Sequence, residues 1–118
     1  MPIIRASTTL AYVAGDDILL EFTVTDQDGA VAIITGDTVR FAIARKPGHT
    51  PILTSESSPT TVTPTITNGA GGVFQVAIDK TGTSGLLGTY HWDAELEDAT
   101  GDVSTVSRGW IVFEPEVV

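Results

Sequence analysis

The sequence contains no cysteine, which excludes disulfides, thiolate metal sites and redox-active thiols. Stability must then come from an apolar core, and 118 residues suffice for one. A domain of that size buries roughly two-thirds of its unfolded surface. Basic residues are also few: six Lys and Arg stand against fifteen Asp and Glu, giving a formal charge of −9. Such a surface repels phosphate backbones and has no basic cluster for counterion release, which disfavours nucleic acid as a partner. Docking to an anionic membrane is disfavoured for the same reason. No segment approaches the ~20 apolar residues of a spanning helix. The opening "MPIIRASTTLAYVAGDD" lacks the apolar run of a signal sequence, so the expectation is synthesis in the cytoplasm without export by its own signal. Helical periodicity longer than a turn is missing as well.

What remains is a strand-forming sequence rich in threonine and β-branched residues. Short period-two runs alternate with turn signals. The first covers 3–13. "ILLEFTVT" places Ile18, Leu20, Phe22 and Val24 on one face, and the Asp and Gly of "DQDG" suit a tight turn. An irregular crossover then leads to "TVRFAIAR", with Val39, Phe41 and Ile43 inward. Residues 52–60 read as a short edge strand or a loop. "TVTPTIT" contains Pro64, which predicts an edge strand or a bulge because proline lacks the amide donor. In "VFQVAID" the buried set is Phe74, Val76 and Ile78, and "KTGTSGLLG" is the one place for a helical turn. The final hairpin turns at "DATG". Tyr90, Trp92, Ala94 and Leu96 lie on its inner parity, with His91, Asp93 and Glu95 outward. The pattern predicts one all-β domain over 1–118, an immunoglobulin-like antiparallel β-sandwich of about seven or eight strands, with 115–118 as a short tail.

Candidate chemistry is sparse. His91 lies beside Thr89 and Asp93, but the sequence has no nucleophile elbow such as Gly-x-Ser-x-Gly to complete a relay, and His49 sits in the "KPGHTP" turn. Two isolated histidines without cysteine are a poor zinc set. The pairs Asp16/Asp17, Asp26/Asp28 and Asp98/Asp102 are explained by turn formation rather than calcium. "NGAGG" precedes a strand and holds no lysine, unlike a phosphate loop. No catalytic residue, cofactor or metal is expected. "GTY" at the start of a long strand fits a tyrosine corner. The last strand is apolar on both faces, Ile111 and Phe113 opposite Trp110 and Val112. Either another chain covers part of it or a β-bulge resets the parity.

Taken together, "GDDILLEFTVTDQDGA", "TGDTVRFAIAR", "GGVFQVAID" and "LLGTYHWDAELEDATGDVSTVSRGWIVFEPEV" resemble the small immunoglobulin-like domains of bacteriophage virion proteins, similar to the N-terminal domain of baseplate upper proteins. The likeness rests on Gly-x-Tyr, the Asp-x-x-Gly hairpin and the Arg-Gly ahead of the last strand. It implies a non-enzymatic structural protein of a tail, baseplate or fibre attachment. Its partners would be other virion proteins, as a homo-oligomer or symmetric array, without nucleic acid or membrane. Its location would be the virion. The resembled domain often opens a longer protein, whereas this sequence stops after it, so a stand-alone adaptor is expected. A capsid decoration protein and a carbohydrate- or receptor-binding module are the alternatives. The interface residues expected are His91, Asp93, Glu95, Trp110 and Val112, with strand edges available for pairing to neighbours.

Overall fold

A computed structural model describes residues 3–4, 10–26, 28–56 and 61–115. Nine strands and one helical turn follow in order: β1 (Ile3–Ile4), β2 (Leu10–Val13), β3 (Ile18–Thr25), β4 (Thr38–Ala44), β5 (Leu53–Thr54), β6 (Val62–Asn68), β7 (Val73–Ile78), α1 (Lys80–Thr83), β8 (Gly88–Glu97) and β9 (Val103–Glu114). They form two sheets, β1-β3-β7-β6 and β2-β9-β8-β4-β5. Seven strands have four or more residues, within the expected number, while β1 and β5 have two each. Residues 5–9, Gln27, 57–60 and 116–118, on which parts of the first run, the "DQDG" turn, the 52–60 segment and the tail were read, lie outside the described residues.

The alternation in each main strand becomes the core. Ile18, Leu20, Phe22 and Val24 face Phe74, Val76 and Ile78 of the neighbouring strand, and all are buried. From the second sheet come Phe41, Ile43, Tyr90, Trp92, Ala94, Leu96, Ile111 and Phe113. Four aromatic rings join the sheets. Phe22 stacks on Phe74 at 4.9 Å and meets Trp92 at 5.4 Å, and Trp92 stacks on Phe41 at 5.9 Å. Such pairs contribute about 0.5–1.5 kcal/mol each beyond burial. Gly109 opposes Trp92 in the register, so no side chain competes with the indole on β9. The indole N–H donates to the Trp110 carbonyl at 3.3 Å. The Arg108–Gly109 pair therefore lies within the last strand, not ahead of it.

Three local features settle questions that the pattern left open. The run 3–13 divides: β1 pairs antiparallel with β3, whereas β2 pairs parallel with β9, the one parallel pair among the described strands. Pro64 lies on β6 at the edge of its sheet. The Asp79 N–H donates to the Thr61 carbonyl at 2.8 Å, so Thr61, Thr63 and Thr65 face β7 and Pro64 turns its missing donor away from the ladder. The β8–β9 register shifts opposite Ala94 and Glu95, passing over Val106. This bulge carries Ser104 and Val106 inward before it and Ile111 and Phe113 inward after it. It resets the parity as one of the two readings required, yet Trp110 and Val112 still occupy the outer face.

The expected tyrosine corner forms. Leu87 donates its amide to the Tyr90 hydroxyl at 3.2 Å, and the ring packs edge-on against Phe113. The helical turn falls where expected, capped by Asp79. Its fully buried Thr83 donates to the Asp16 carbonyl at 2.7 Å and accepts from the Gly15 amide at 3.1 Å, tying the β2–β3 turn to α1.

Candidate functional site: the outer face of the five-stranded sheet

The register sets out this face as rows. Val112 lies between Ala11 and Thr89, Trp110 beside His91 and then Ala44, and Arg108 beside Asp93 and then Ala42 and Thr54. Below them, Glu95 pairs across to Arg40, and Glu97 to Thr38. All five residues expected at an interface therefore share one face.

Their exposures differ from the expectation at one position. His91 was expected to face solvent, but only 6 % of it is accessible. The Trp110 ring covers it, edge-on with centroids 5.1 Å apart, and Ala44 is its neighbour on the other side. Parity assigned the face correctly; the cross-strand neighbour decided the cover. His91 Nδ1 stands 3.9 Å from Asp93 Oδ1. Arg108 Nε approaches the same oxygen at 3.4 Å, and that oxygen is buried without a hydrogen bond among the described residues. Trp110 remains 42 % exposed and Val112 half-buried.

Arg40, which lies between the inward Val39 and Phe41 on β4, is the centre of a charged cluster. Its Nε donates to Glu56 at 2.8 Å, its Nη2 to Glu97, and its Nη1 lies 3.6 Å from Glu95. The hydrogen bonds to Glu97 and then Glu56 raise the guanidinium pKa further above its usual value. The shared outward parity of Arg40, Glu95 and Glu97 was visible in the sequence; their adjacency required the β4–β8 register, and Glu56 arrives from a loop.

A hollow of about 190 Å³ is lined by the ionisable Arg40, Glu56, Asp93 and Glu95, and is smaller than the ~300–1,000 Å³ of small-molecule sites. A trough of about 560 Å³ on the other sheet runs past Leu19, Thr61, Thr63 and Lys80. Its Asp17 carboxylate is taken up by the Lys80 backbone N–H at 2.7 Å. The turn aspartates also face their own backbones. Asp26 accepts from Asp28 and Ala30, and Asp98 from Thr100 and Asp102. The Thr100 hydroxyl first, then those amides, hold the Asp98 pKa below its ordinary value. Among the described residues no three His, Cys, Asp or Glu side chains converge on a metal position. His49 is exposed in the β4–β5 turn.

β8 is internal to its sheet, and β9 is flanked by β2 over Ile111–Glu114. The hairpin they form presents its outer face.

The fold is immunoglobulin-like. The chain is similar to CopC from Methylosinus trichosporium OB3b, with a TM-score of 0.57 and 8 % identity over 98 % of this chain and 96 % of that one. It is similar to the Lin-41 filamin domain, with a TM-score of 0.50 and 11 % identity over 96 % of this chain and 91 % of that one. A marsupial T cell receptor matches with a TM-score of 0.59 and 16 % identity, all of this chain covering 37 % of the receptor chain. At such identities the likeness establishes the fold alone. No family model matches the sequence, and the comparison with curated proteins finds no match.

Proposed function

We propose that this chain is a non-enzymatic structural protein of a bacteriophage virion, assembled by protein–protein contacts in a tail, baseplate or fibre attachment. The observation that carries the assembly reading is the outer face of the five-stranded sheet. There a large, partly exposed Trp110 sits beside Val112, rimmed by Arg40, Glu95, Glu97, Asp93 and Arg108. An aromatic anchor within a charged, hydrogen-bonding rim is the usual anatomy of a protein interface. The phage context comes from the sequence resemblance. The partners proposed are other virion proteins or further copies of this chain, and the location is the particle after synthesis in the host cytoplasm. His91 contributes by bracing Trp110 rather than by touching a partner.

Mass spectrometry of purified phage particles tests this reading: the chain is expected at a fixed copy number, and its absence would overturn the proposal. Negative-stain imaging of a labelled copy separates a tail or baseplate position from a capsid decoration. A second reading, a carbohydrate-binding module, is favoured only by the exposed Trp110 indole. Glycan-array binding that disappears in Trp110→Ala would support it against assembly.

A further inference from the structure

The molecule measures 43 × 28 × 26 Å, and the twelve residues of β9 span about 40 Å at ~3.3 Å each. Strands therefore run along the long axis, and the loops divide between two ends. One end gathers the β3–β4 crossover, the β6–β7 turn and the β8–β9 turn. Among the described residues it carries Asp26, Asp28, Asp37, Asp98 and Asp102 and no lysine or arginine. The crossover also shows two apolar side chains to solvent, Val31 at 52 % and Ile33 at 75 % exposure. It is held in place while doing so. Ile34 beneath is fully buried and donates its amide to the Gly69 carbonyl at 2.9 Å, and Ala32 donates to the Val24 carbonyl at 3.1 Å.

The opposite end has a different character. The β4–β5 turn projects "RKPGHTPI", residues 45–52, all exposed, with Arg45, Lys46 and His49 and no acid. Ile52 is 39 % exposed beside two prolines. Lys46 makes no ion pair among the described residues, and Arg45 lies 5.7 Å over the Tyr90 ring, which fixes its position without neutralising it. This end also carries Asp16, Asp17, Asp79 and Glu114, of which Asp17 and Asp79 are turned to backbone amides of the helical turn, so its basic feature is the β4–β5 turn itself. Three of the six basic residues, Arg45, Lys46 and Lys80, are at this end.

We infer that copies of this chain bind head to tail, the basic β4–β5 turn of one copy seating Ile52 and Lys46 against the exposed Val31–Ile33 crossover and acidic rim of the next. Opposite charges around complementary apolar patches steer and register such a contact. Because the two surfaces differ, the contact is heterologous and extends into a ring or a filament rather than closing as a two-fold dimer. The inference rests on the assembly reading above, but uses the ends of the sandwich, not its outer sheet face. The Asp37 carboxyl supports it. Burial, and then the nearby Asp98 carboxylate, raise its pKa, so negative charge is crowded at the end that a basic turn would relieve.

Sedimentation equilibrium of the purified chain tests the inference. At low salt the weight-average mass is expected to rise with concentration above the 12.4 kDa of one copy, and to fall back toward it at about 0.5 M salt. Ile33→Asp blocks one end and Lys46→Glu the other. Both sites are exposed, so both variants fold, and each weakens association by roughly tenfold or more. Mixed together they form a dimer and nothing larger, since each keeps one intact end. A wild-type chain that stays monomeric under all these conditions overturns the inference. So does a mixture that associates no better than either variant alone. So does association lost in Trp110→Ala but kept in both end variants. A monomeric chain that is nevertheless present in virions overturns this inference alone; a self-associating chain absent from them overturns the virion reading alone.

Discussion

Gly72 and Gly101 both adopt positive φ, +73° and +91°, in the two tight turns at the acidic end. They differ in what a side chain would meet. A Cβ on Gly101 finds nothing within 4 Å, whereas on Gly72 it would lie 2.6 Å from the Val24 carbonyl oxygen and 2.7 Å from that of Ala32. Alanine at either position adopts a left-handed backbone at a cost of about 1–2 kcal/mol. At Gly72 the clash also displaces two hydrogen bonds that hold the crossover, Val24 N–H to Gly72 at 2.8 Å and Ala32 N–H to Val24 at 3.1 Å. Their loss adds about 1–3 kcal/mol. Unfolding entropy near ~2.1 cal/mol/K per residue makes each kcal/mol worth about 4 °C in a chain of 118 residues. Gly101→Ala should thus lower Tm by about 4–8 °C and Gly72→Ala by about 8–20 °C. Calorimetry measures the difference, and amide exchange at Val24 and Ala32 locates it. Equal losses for the two variants would refute the close-approach argument.

Tyr90→Phe keeps the ring against Phe113 but removes the acceptor for the Leu87 amide. It is expected to cost about 0.5–1.5 kcal/mol, or about 2–6 °C, in thermal denaturation; an unchanged Tm would mean that the corner contributes nothing. Asp37 tests the electrostatics of the acidic end. Its folded pKa is raised above 3.8 by burial first and Asp98 second, so ionisation costs stability as pH rises through the folded value. Asp37→Asn should therefore raise Tm at pH 7 and leave it unchanged at about pH 2.5, where both folded and unfolded carboxyls are protonated. The same gain at both pH values would remove charge as its cause.

The faces of β3, β4, β7 and β8 were legible because each strand alternates without interruption, and one buried face fixes the parity of all its residues. The switch of the first run between sheets was not legible. Leu10 and Tyr12 continue the same apolar habit as Ile3 and Ile4, and nothing in the residues marks which sheet they join. The fate of His91 was hidden for a related reason. Periodicity along β8 gives a direction, while burial came from Trp110, nineteen residues further along the chain on β9, whose register depends on a bulge. The Arg40 cluster was half legible, through Glu95 and Glu97, and Glu56 entered from a turn with no period. The proline edge was fully legible, because a missing donor has one tolerable place in a sheet.

In the proposed function, the outer face around Trp110 retains an inert sandwich in the particle. Trp110→Glu changes a side chain that lies outside the inter-sheet core, so the fold should persist, with Tm lowered by the uncovering of His91. Particles assembled with this variant in place of the natural chain provide the direct measurement, by quantitative mass spectrometry of purified virions. The expected result is a loss of roughly tenfold or more in copies per particle, the size of effect produced by removing a central aromatic anchor. An undiminished copy number in folded Trp110→Glu particles would contradict it.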